Sequence, residues 1–342
     1  MTRPRVVLRA DASHAIGVGH VARIAALVEA MTDDAGPHRA EPVALIDGDP
    51  ALGPWLAGRG IPAPPRPVST DDVLAAAAGP GVRAVVIDGP PLAAALAPAL
   101  LARGVRTVVI DDRGDLPLPV SAVVNHNFHA PALADTYPAA QLRLLGRRYL
   151  LLGRAIRRHP RGACRPRASA RLRVVVSFGG SDPVGATART LRLVPPDRPL
   201  ALIVLLGPGF RDHAPLAAAA AAARAAGHHV ALISSPGDPG PLFVAADAAI
   251  CAAGGTLGEL AYLGCPALAF AIVADQVAGA SAQTRAGLIA GGAPWSETSD
   301  AALRTALAAF VTDDAGRRAR RERALDTADG GGAGRVISEA LG

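Results

Sequence analysis

The stretch VVLRADASHAIGVGHVARIAAL, residues 6–27, contains an apolar run, a loop of small and polar residues and the start of a helical pattern. Residues 6–9 predict a buried strand, and the helix is expected to begin near His20. Glycines at such a turn let a ligand approach the backbone, and a helix start presents unpaired N–H groups to anions. His20 is a candidate general base, since imidazoles exchange protons near neutral pH. The stretch therefore predicts an α/β fold with a ligand site after its first strand, although such turns also serve packing alone.

Short β-branched runs alternate with Ala- and Leu-rich helical stretches along the rest of the chain, which is typical of parallel α/β sheets. The predicted strands are residues 6–9, 43–47, 84–88, 107–111 and 122–125 in the first half, and 173–178, 200–206, 230–233, 248–251 and 267–270 in the second. Residues 154–171 are polar, contain prolines and are rich in arginine, which favours a linker. We therefore expect two Rossmann-like domains facing one cleft, over residues 1–158 and 172–342.

Composition excludes several function classes. The chain has 342 residues, of which 50 % are hydrophobic, so two ordinary cores can be buried. All 35 basic residues are arginine, and the lack of lysine excludes Schiff-base chemistry and a P-loop lysine. The net charge is +6, but the arginines are scattered and aromatic residues make up only 3 %, so we expect no nucleic-acid partner.

The cysteines and the apolar runs indicate a compartment. Cys164, Cys251 and Cys265 lack the spacing of a metal or redox site and are expected to be reduced. No signal peptide is expected because Arg9 and Asp11 interrupt the first apolar run, and no apolar run is long enough to span a bilayer. We expect a cytoplasmic protein without cofactor, metal or stable membrane association. The sequence does not predict an oligomeric state.

Two further glycine turns follow predicted strands in the second half. They are Gly179, Gly180 and Ser181, after the strand at 173–178, and Gly254, Gly255 and Thr256, after the strand at 248–251. Backbone amides of such turns hold phosphate without a lysine. Glu259, one helical turn later, can accept both hydroxyls of a ribose. A plain tight turn with a helix starting near Pro183, and a capping box of Thr256 with Glu259, are the other interpretations. Together the two turns favour a nucleoside diphosphate.

Three segments carry a family resemblance. They are RADASHAIGVGHVAR at 9–23, SFGGSDP at 177–183 and AGGTLGELAYLGCP at 253–266. In this order they resemble the nucleotide-sugar hydrolases of pseudaminic acid biosynthesis, and similar segments at 124–127, 145–152 and 329–336 extend the resemblance over nearly the whole chain. The chain is also similar, more distantly, to the transferase that adds N-acetylglucosamine to lipid-linked muropeptide. Both resemblances imply the glycosyltransferase-B fold, with UDP held by the C-terminal domain.

The resemblance also implies roles for single residues. It makes His20 the catalytic group, places the two glycine turns at the nucleotide and puts Glu259 on the ribose. The residues that it places near the sugar are Gly17, Gly19, Asn125, Asp275 and Gln276. The chain departs from the family after Asp88, where it has Asp88-Gly89-Pro90 instead of Asp-x-Tyr, and at Asp275-Gln276, where the family usually carries Asn-Gln. At the first position an aromatic residue expected against the sugar is therefore missing.

Three functions follow from these residues. The favoured one is hydrolysis of a UDP-sugar, in which His20 activates water and the glycine-turn amides stabilise the departing UDP. Asp11 would orient His20 or bind a sugar hydroxyl, and a loop-capping aspartate also fits. A glycosyltransferase using a UDP-sugar donor on the same fold is the alternative, and a non-catalytic nucleotide-sugar-binding protein is the third. His14 is a second candidate for the base. Asp47-Gly48-Asp49 has the form of a metal signature, but we favour a turn.

Overall fold

The chain divides into two compact units. The computed structural model describes residues 3–12, 17–33, 39–165 and 171–341. The first unit is Met1–Arg154 together with Gly330–Gly342, and the second unit is Ala155–Asp329. None of the helices in the described ranges combines the length and the apolar character needed to cross a lipid bilayer.

The first unit is built on a parallel sheet. Within the described residues its strands are β1 (Arg5–Ala12), β2 (Glu41–Gly48), β3 (Val82–Asp88), β4 (Arg106–Ile110), β5 (Ala122–Asn125) and β6 (Arg143–Leu145). Their order is β2-β1-β3-β4-β5-β6, and each described pairing is parallel. The helices are α1 (Gly19–Thr32), α2 (Gly53–Ala57), α3 (Thr70–Ala77) and α4 (Pro90–Ala102), and α5 (Arg154–Arg157) begins where the unit ends.

The second unit repeats this architecture with a different strand order. Its described strands are β7 (Leu172–Ser177), β8 (Leu200–Leu206), β9 (His229–Ser234), β10 (Ala248–Ala252), β11 (Ala267–Ala271) and β12 (Ala290–Pro294). The order β12-β11-β10-β7-β8-β9 is that of a Rossmann sheet, and the described pairings are again parallel. The helices are α6 (Ala186–Leu193), α7 (His213–Ala225), α8 (Gly240–Ala245), α9 (Thr256–Leu263), α10 (Val277–Arg285), α11 (Asp300–Thr312) and α12 (Asp314–Leu325).

The central strands are apolar along their whole length because both sheet faces are covered. Val85 and Val86 are adjacent in β3 and point to opposite faces, yet neither is exposed. Val86 packs in the same core cluster as Ile24 of α1, whereas Val85 packs in another cluster with Leu96 of α4. The predicted two-sheet α/β fold is confirmed.

The end of the chain departs from the predicted domain division. Residues 330–342 were expected in the C-terminal domain, but they belong to the first unit. There α13 (Gly332–Val336) and the π-helical turn Ile337–Leu341 bury Val336, Ile337 and Leu341 in the first unit's core. Gly332 packs directly on the Leu150 backbone, with no room for a side chain.

The predicted linker is partly a packed segment. Gly162 N–H donates to the Tyr262 carbonyl at 2.9 Å, and Cys164 N–H donates to the Leu263 carbonyl at 2.8 Å. The Cys164 thiol donates to the Ala246 carbonyl at 3.1 Å. The arginine-rich composition gives no sign of these contacts, which hold residues 162–164 of the predicted linker within the second unit. Residues 166–170 lie outside the described ranges.

Candidate functional site

Strand order locates the candidate sites. In an open parallel sheet, ligands bind outside the carboxyl ends of the strands, where the strand order reverses. In the first unit this point lies between β1 and β3, and in the second unit between β7 and β10. The turns that the sequence singled out follow β1, β7 and β10. Strand order therefore places all three glycine turns at such points.

His20 and Asp88 form a hydrogen-bonded pair at the first unit's switch point. His20 is the second residue of α1, and Asp88 is the last residue of β3, opposite Ala10 of β1. His20 Nδ1 lies 2.7 Å from Asp88 Oδ1. The Asp88 side chain is fully buried, whereas 27 % of the His20 side chain is exposed. Because the carboxylate accepts the Nδ1 proton, the free lone pair of the neutral imidazole is on Nε2.

Arg23 binds Asp88 beside His20. It lies one helical turn after His20, so both side chains emerge on the same face of α1. Arg23 Nε donates to Asp88 Oδ2 at 2.8 Å, and Nη2 donates to Oδ1 at 2.6 Å. This bidentate geometry fixes the plane of the carboxylate. Nη2 also lies 2.8 Å from His20 Nδ1, so both nitrogens converge on one carboxylate oxygen.

A second carboxylate completes this cluster. Arg23 Nη1 donates to Asp112 Oδ2 at 2.5 Å. Burial alone would raise the pKa of Asp112, but the Arg23 guanidinium, with smaller effects from His126 and His20, holds that pKa well below its usual range. Asp112 is therefore ionised near neutral pH. Asn127 Nδ2 donates to Asp112 Oδ1 at 2.8 Å and ties the loop after β4 to the loop after β5.

Asn125 faces the protein interior. Its side chain is fully buried, and its Nδ2 donates to Tyr137 Oη at 3.0 Å. Its Oδ1 accepts from the backbone and side-chain nitrogens of Asn127 at 3.2 and 3.1 Å. Both ends of the amide are thus engaged, so the sugar contact predicted for Asn125 does not fit this geometry. Asn125 instead holds Asn127.

Asp11 does not orient His20. Its Oδ1 lies 2.5 Å from Arg9 Nη1, so Asp11 forms an ion pair with a residue of its own strand, β1. The orienting carboxylate is Asp88, which comes from a strand 68 residues away from His20 in sequence. A contact between Asp11 and a sugar hydroxyl stays a prediction. His14, the second candidate for the base, lies outside the described residues.

The Asp47-Gly48-Asp49 segment ends β2 instead of forming the expected turn, since Asp47 and Gly48 are the last residues of that strand. Asp47 Oδ2 accepts from the Val68 backbone at 3.0 Å, and Asp49 Oδ1 accepts from the Ala51 backbone at 2.9 Å, capping a short 3-10 helix. Among the described residues, no three His, Cys, Asp or Glu side chains are grouped so that they could hold a metal ion.

The first glycine turn of the second unit is held by the turn after β8. The Gly209 amide donates to the Gly180 carbonyl at 2.9 Å, and Gly207 packs so closely on Gly180 that a Cβ would overlap its backbone. Gly179 has a positive φ of 85° and open space at its Cβ position. Ser181 is buried. The turn is therefore rigid at Gly180 and open at Gly179.

The helix after this turn starts later than expected. α6 begins at Ala186, not near Pro183. The Asp182 carboxylate accepts from the amides of Ala186 and Thr187, each at 2.8 Å, and thereby occupies that helix start. Any phosphate held here would have to use the Gly179–Ser181 amides and the Ser181 hydroxyl rather than the first turn of α6.

The second glycine turn leads directly into α9. Its N-cap residue is Gly255, and no side chain caps this helix, so the capping box of Thr256 with Glu259 is not formed. Gln276 Nε2 lies 3.1 Å from the position that a Cβ on Gly254 would take, while its Oε1 accepts from the Ile272 amide at 3.0 Å. The structure thus brings Gln276 to the Gly254 turn, with Asp275 as its chain neighbour.

Sequence reasoning missed Asp88, Arg23, Asp112 and Asn127. Two signals were present. Arg23 stands three residues after His20 in a predicted helix, and Asp88 and Asp112 close or follow predicted strands. The carboxyl ends of neighbouring parallel strands meet at one sheet edge, so such aspartates belong to one cluster once the strand order is known.

Comparison with solved structures identifies the fold. Acinetobacter baumannii MurG superposes with a TM-score of 0.69 at 16 % identity, covering 98 % of this chain and 99 % of that chain. The fold is glycosyltransferase-B. MnaA from S. aureus, solved with UDP, superposes with a TM-score of 0.65 at 11 % identity, over 98 % and 95 % of the two chains. The glycotransferase of kitacinnamycin gives 0.61 at 16 % identity, over 99 % and 98 %. No protein-family model and no functionally curated protein matches the sequence.

Proposed function

We propose that this chain hydrolyses a UDP-activated sugar to free sugar and UDP, with His20 as the general base. The observation that carries the proposal is the 2.7 Å hydrogen bond between His20 Nδ1 and Asp88, which leaves Nε2 as the proton acceptor. The ring is partly exposed and its carboxylate partner is buried. A histidine oriented in this way by a buried carboxylate is suited to general-base catalysis.

The reaction proceeds by attack of water at C1 of the sugar. His20 Nε2 removes one proton from the water as its oxygen bonds to C1, and Asp88 stabilises the resulting imidazolium. The bond between C1 and the β-phosphate oxygen breaks, and its electron pair leaves with UDP. Attack from the side opposite UDP inverts the configuration at C1.

The second unit binds the nucleotide in this proposal. The amides of Gly179, Gly180, Gly254, Gly255 and Thr256, with the Ser181 hydroxyl, take up charge on the departing diphosphate. Glu259 accepts the ribose hydroxyls. Support comes from the location of both turns at the sheet's switch point. The UDP present in the MnaA structure, which has the same fold, supports UDP as the nucleotide.

The sugar is assigned only by class. The sequence resemblance favours an amino or deoxy sugar of nonulosonic acid or surface polysaccharide biosynthesis, contacted by Gly17, Gly19, Asp275 and Gln276. In the segment Asp88-Gly89-Pro90 the aspartate is kept, and Pro90 stands where the family's Asp-x-Tyr has its tyrosine. An aromatic contact with the sugar is therefore missing, and we expect the sugar specificity to differ from the family default.

A glycosyltransferase is the second candidate. It is favoured by the fold shared with MurG and the kitacinnamycin glycotransferase. His20 would then deprotonate an acceptor hydroxyl instead of water, with the same Asp88 partner.

A panel of UDP-sugars, incubated with the protein with and without acceptors, separates these functions. Hydrolysis predicts UDP release without acceptor, whereas a transferase releases UDP only when an acceptor is added. In ¹⁸O-labelled water, the label is expected in the sugar and not in UDP. Label in UDP would contradict attack at C1, and an isomerised UDP-sugar without release would contradict both functions.

A further inference from the structure

The proposed mechanism gives no role to the ion pair between Arg23 and Asp112. Arg23 bridges Asp88 and Asp112, and Asn127 fixes Asp112 from the far side at 2.8 Å. Only 12 % of the Arg23 side chain and 23 % of the Asp112 side chain are exposed. These contacts join α1 to the ends of β3, β4 and β5. The geometry is too specific to be an ordinary surface ion pair.

The charges in this cluster do not cancel. Asp88 and Asp112 carry two negative charges and Arg23 carries one positive charge, so the three together are negative by one. Burial, opposed in part by Asp112, lowers the pKa of the neighbouring His126 to about 4, with Arg23 adding to the effect. His126 therefore adds no charge near neutral pH. Without Asp112, Arg23 would neutralise Asp88 and leave the cluster neutral.

We propose that Arg23 and Asp112 are positioning residues for the His20 base: Arg23 orients the Asp88 carboxylate, and Asp112 supplies the charge that offsets Arg23. This inference rests on the proposed function, in which His20 takes up the proton. The positive charge then forms on a ring whose Nδ1 is 2.8 Å from Arg23 Nη2. Two cations at that distance repel each other strongly at a partly buried site. Asp112 offsets this repulsion, because it binds the same guanidinium.

The test is Asp112→Asn, which removes the charge but keeps a group of similar shape. Among the described residues, the charged and titratable groups around His20 are Asp88 from β3, Arg23 from α1 and Asp112 after β4, and beyond them His126 after β5 and Arg147 after β6. We expect the acidic limb of the kcat/KM profile for UDP release to move to lower pH by about one unit. We expect kcat to fall about tenfold with KM unchanged.

Histidine-¹⁵N NMR supplies a readout that does not need activity. The His20 signals, assigned by their loss in His20→Gln, report which ring nitrogen carries the proton and the pH at which the ring titrates. The midpoint should move to lower pH in Asp112→Asn and return in Asp112→Glu. Asp300→Asn, which removes an exposed partner of Arg189 at 2.7 Å in the second unit, is the charge-matched control and should not shift it.

The two possible failures are distinguishable. An unchanged His20 midpoint in a folded Asp112→Asn protein overturns this inference, whatever the enzyme does. A shifted His20 midpoint in a protein that releases UDP from no sugar supports the proposed effect of Asp112 on His20. It contradicts the proposed function. If Asp112→Asn does not fold, Asp112→Ser is measured in its place, and the same two results decide.

Discussion

At the scale of single residues, the protonation of His126 makes the free energy of unfolding depend on pH. It is buried, and its Nδ1 accepts from the Leu151 amide at 3.1 Å. Burial and the nearby Arg23 charge lower its pKa to about 4, well below that of an exposed histidine. Between pH 6.5 and 4 the unfolded chain therefore binds a proton that the folded chain does not. The free energy of unfolding should fall over this range by roughly 3 kcal/mol.

Chemical denaturation at pH 7 and pH 4.5 measures this loss. His126→Asn keeps an acceptor for the Leu151 amide but has no group that titrates there. Its stability should therefore depend less on pH than that of the parent protein. Equal slopes in the two proteins would show that His126 is not the source of the pH dependence.

Only some of the site residues could be predicted from the sequence. His20 stood out because glycines precede it and a helix follows. Its partner did not, because 68 residues separate Asp88 from His20 and only the pairing of β1 with β3 brings them together. The sugar contact predicted for Asn125 does not fit the structure, because Tyr137 and Asn127 engage its amide. A polar residue at a strand end looks like a ligand contact until its internal partners are known.

At the scale of elements, the contact between the turns after β7 and β8 supports the first glycine turn. A Cβ on Gly207 would overlap the Gly180 backbone, which is not a flexible neighbour. Gly207→Ala should therefore displace the Gly180 turn and cost about 1–3 kcal/mol of stability. Urea denaturation measures the loss, and calorimetric titration with UDP should show weaker binding in the same variant.

Gly255→Ala separates an effect on the phosphate space from an effect on stability. A Cβ at Gly255 meets nothing within 4 Å, and the residue has no positive φ. Its stability should equal that of the parent protein, while its added methyl group stands in the space proposed for phosphate. UDP binding that weakens in Gly255→Ala without loss of stability would support this space as the phosphate site. A stable Gly207→Ala protein with parental UDP affinity would contradict the supporting role of the contact.

Strands were predicted well where both faces are buried, and of the four edge strands β2 and β9 were predicted whereas β6 and β12 were missed. The run Ala122–Asn125 is apolar up to its last residue, and its predicted bounds are the observed ones. The strands Arg143–Leu145 and Ala290–Pro294 were not predicted. The first has three residues, and the second reads AGGAP, which carries the signals of a turn. Both are the last strands of their sheets, where little apolar area is needed.

At the scale of the whole molecule, the return of the chain to the first unit makes a prediction about truncation. Removing residues 330–342 would expose the core that Val336, Ile337 and Leu341 cover. The apolar area lost predicts that the first unit is destabilised by on the order of 5 kcal/mol. Hydrogen exchange should show lost protection in α1, which packs against α13. Lost protection confined to the second unit would contradict this assignment.

The alternation of strands and helices predicted the fold class. It did not predict that residues 330–342 pack on the first unit. The run DGGGAGRV, residues 329–336, marks a break between two helices, but it does not show to which unit the second helix belongs. Only the close approach of Gly332 to the Leu150 backbone shows why glycines are needed there. A boundary set by such long-range packing is invisible to local patterns.

The central claim is that His20, oriented by Asp88, is the base of a UDP-sugar hydrolase. Its most direct test is the initial rate of UDP release without acceptor, from the best sugar of the panel, by the parent protein and His20→Gln. UDP affinity is measured beside it by calorimetry. The account predicts a fall of about 10²- to 10⁴-fold in rate with unchanged UDP affinity, and a comparable fall in Asp88→Asn. A His20→Gln protein that releases UDP as fast as its parent would contradict the claim.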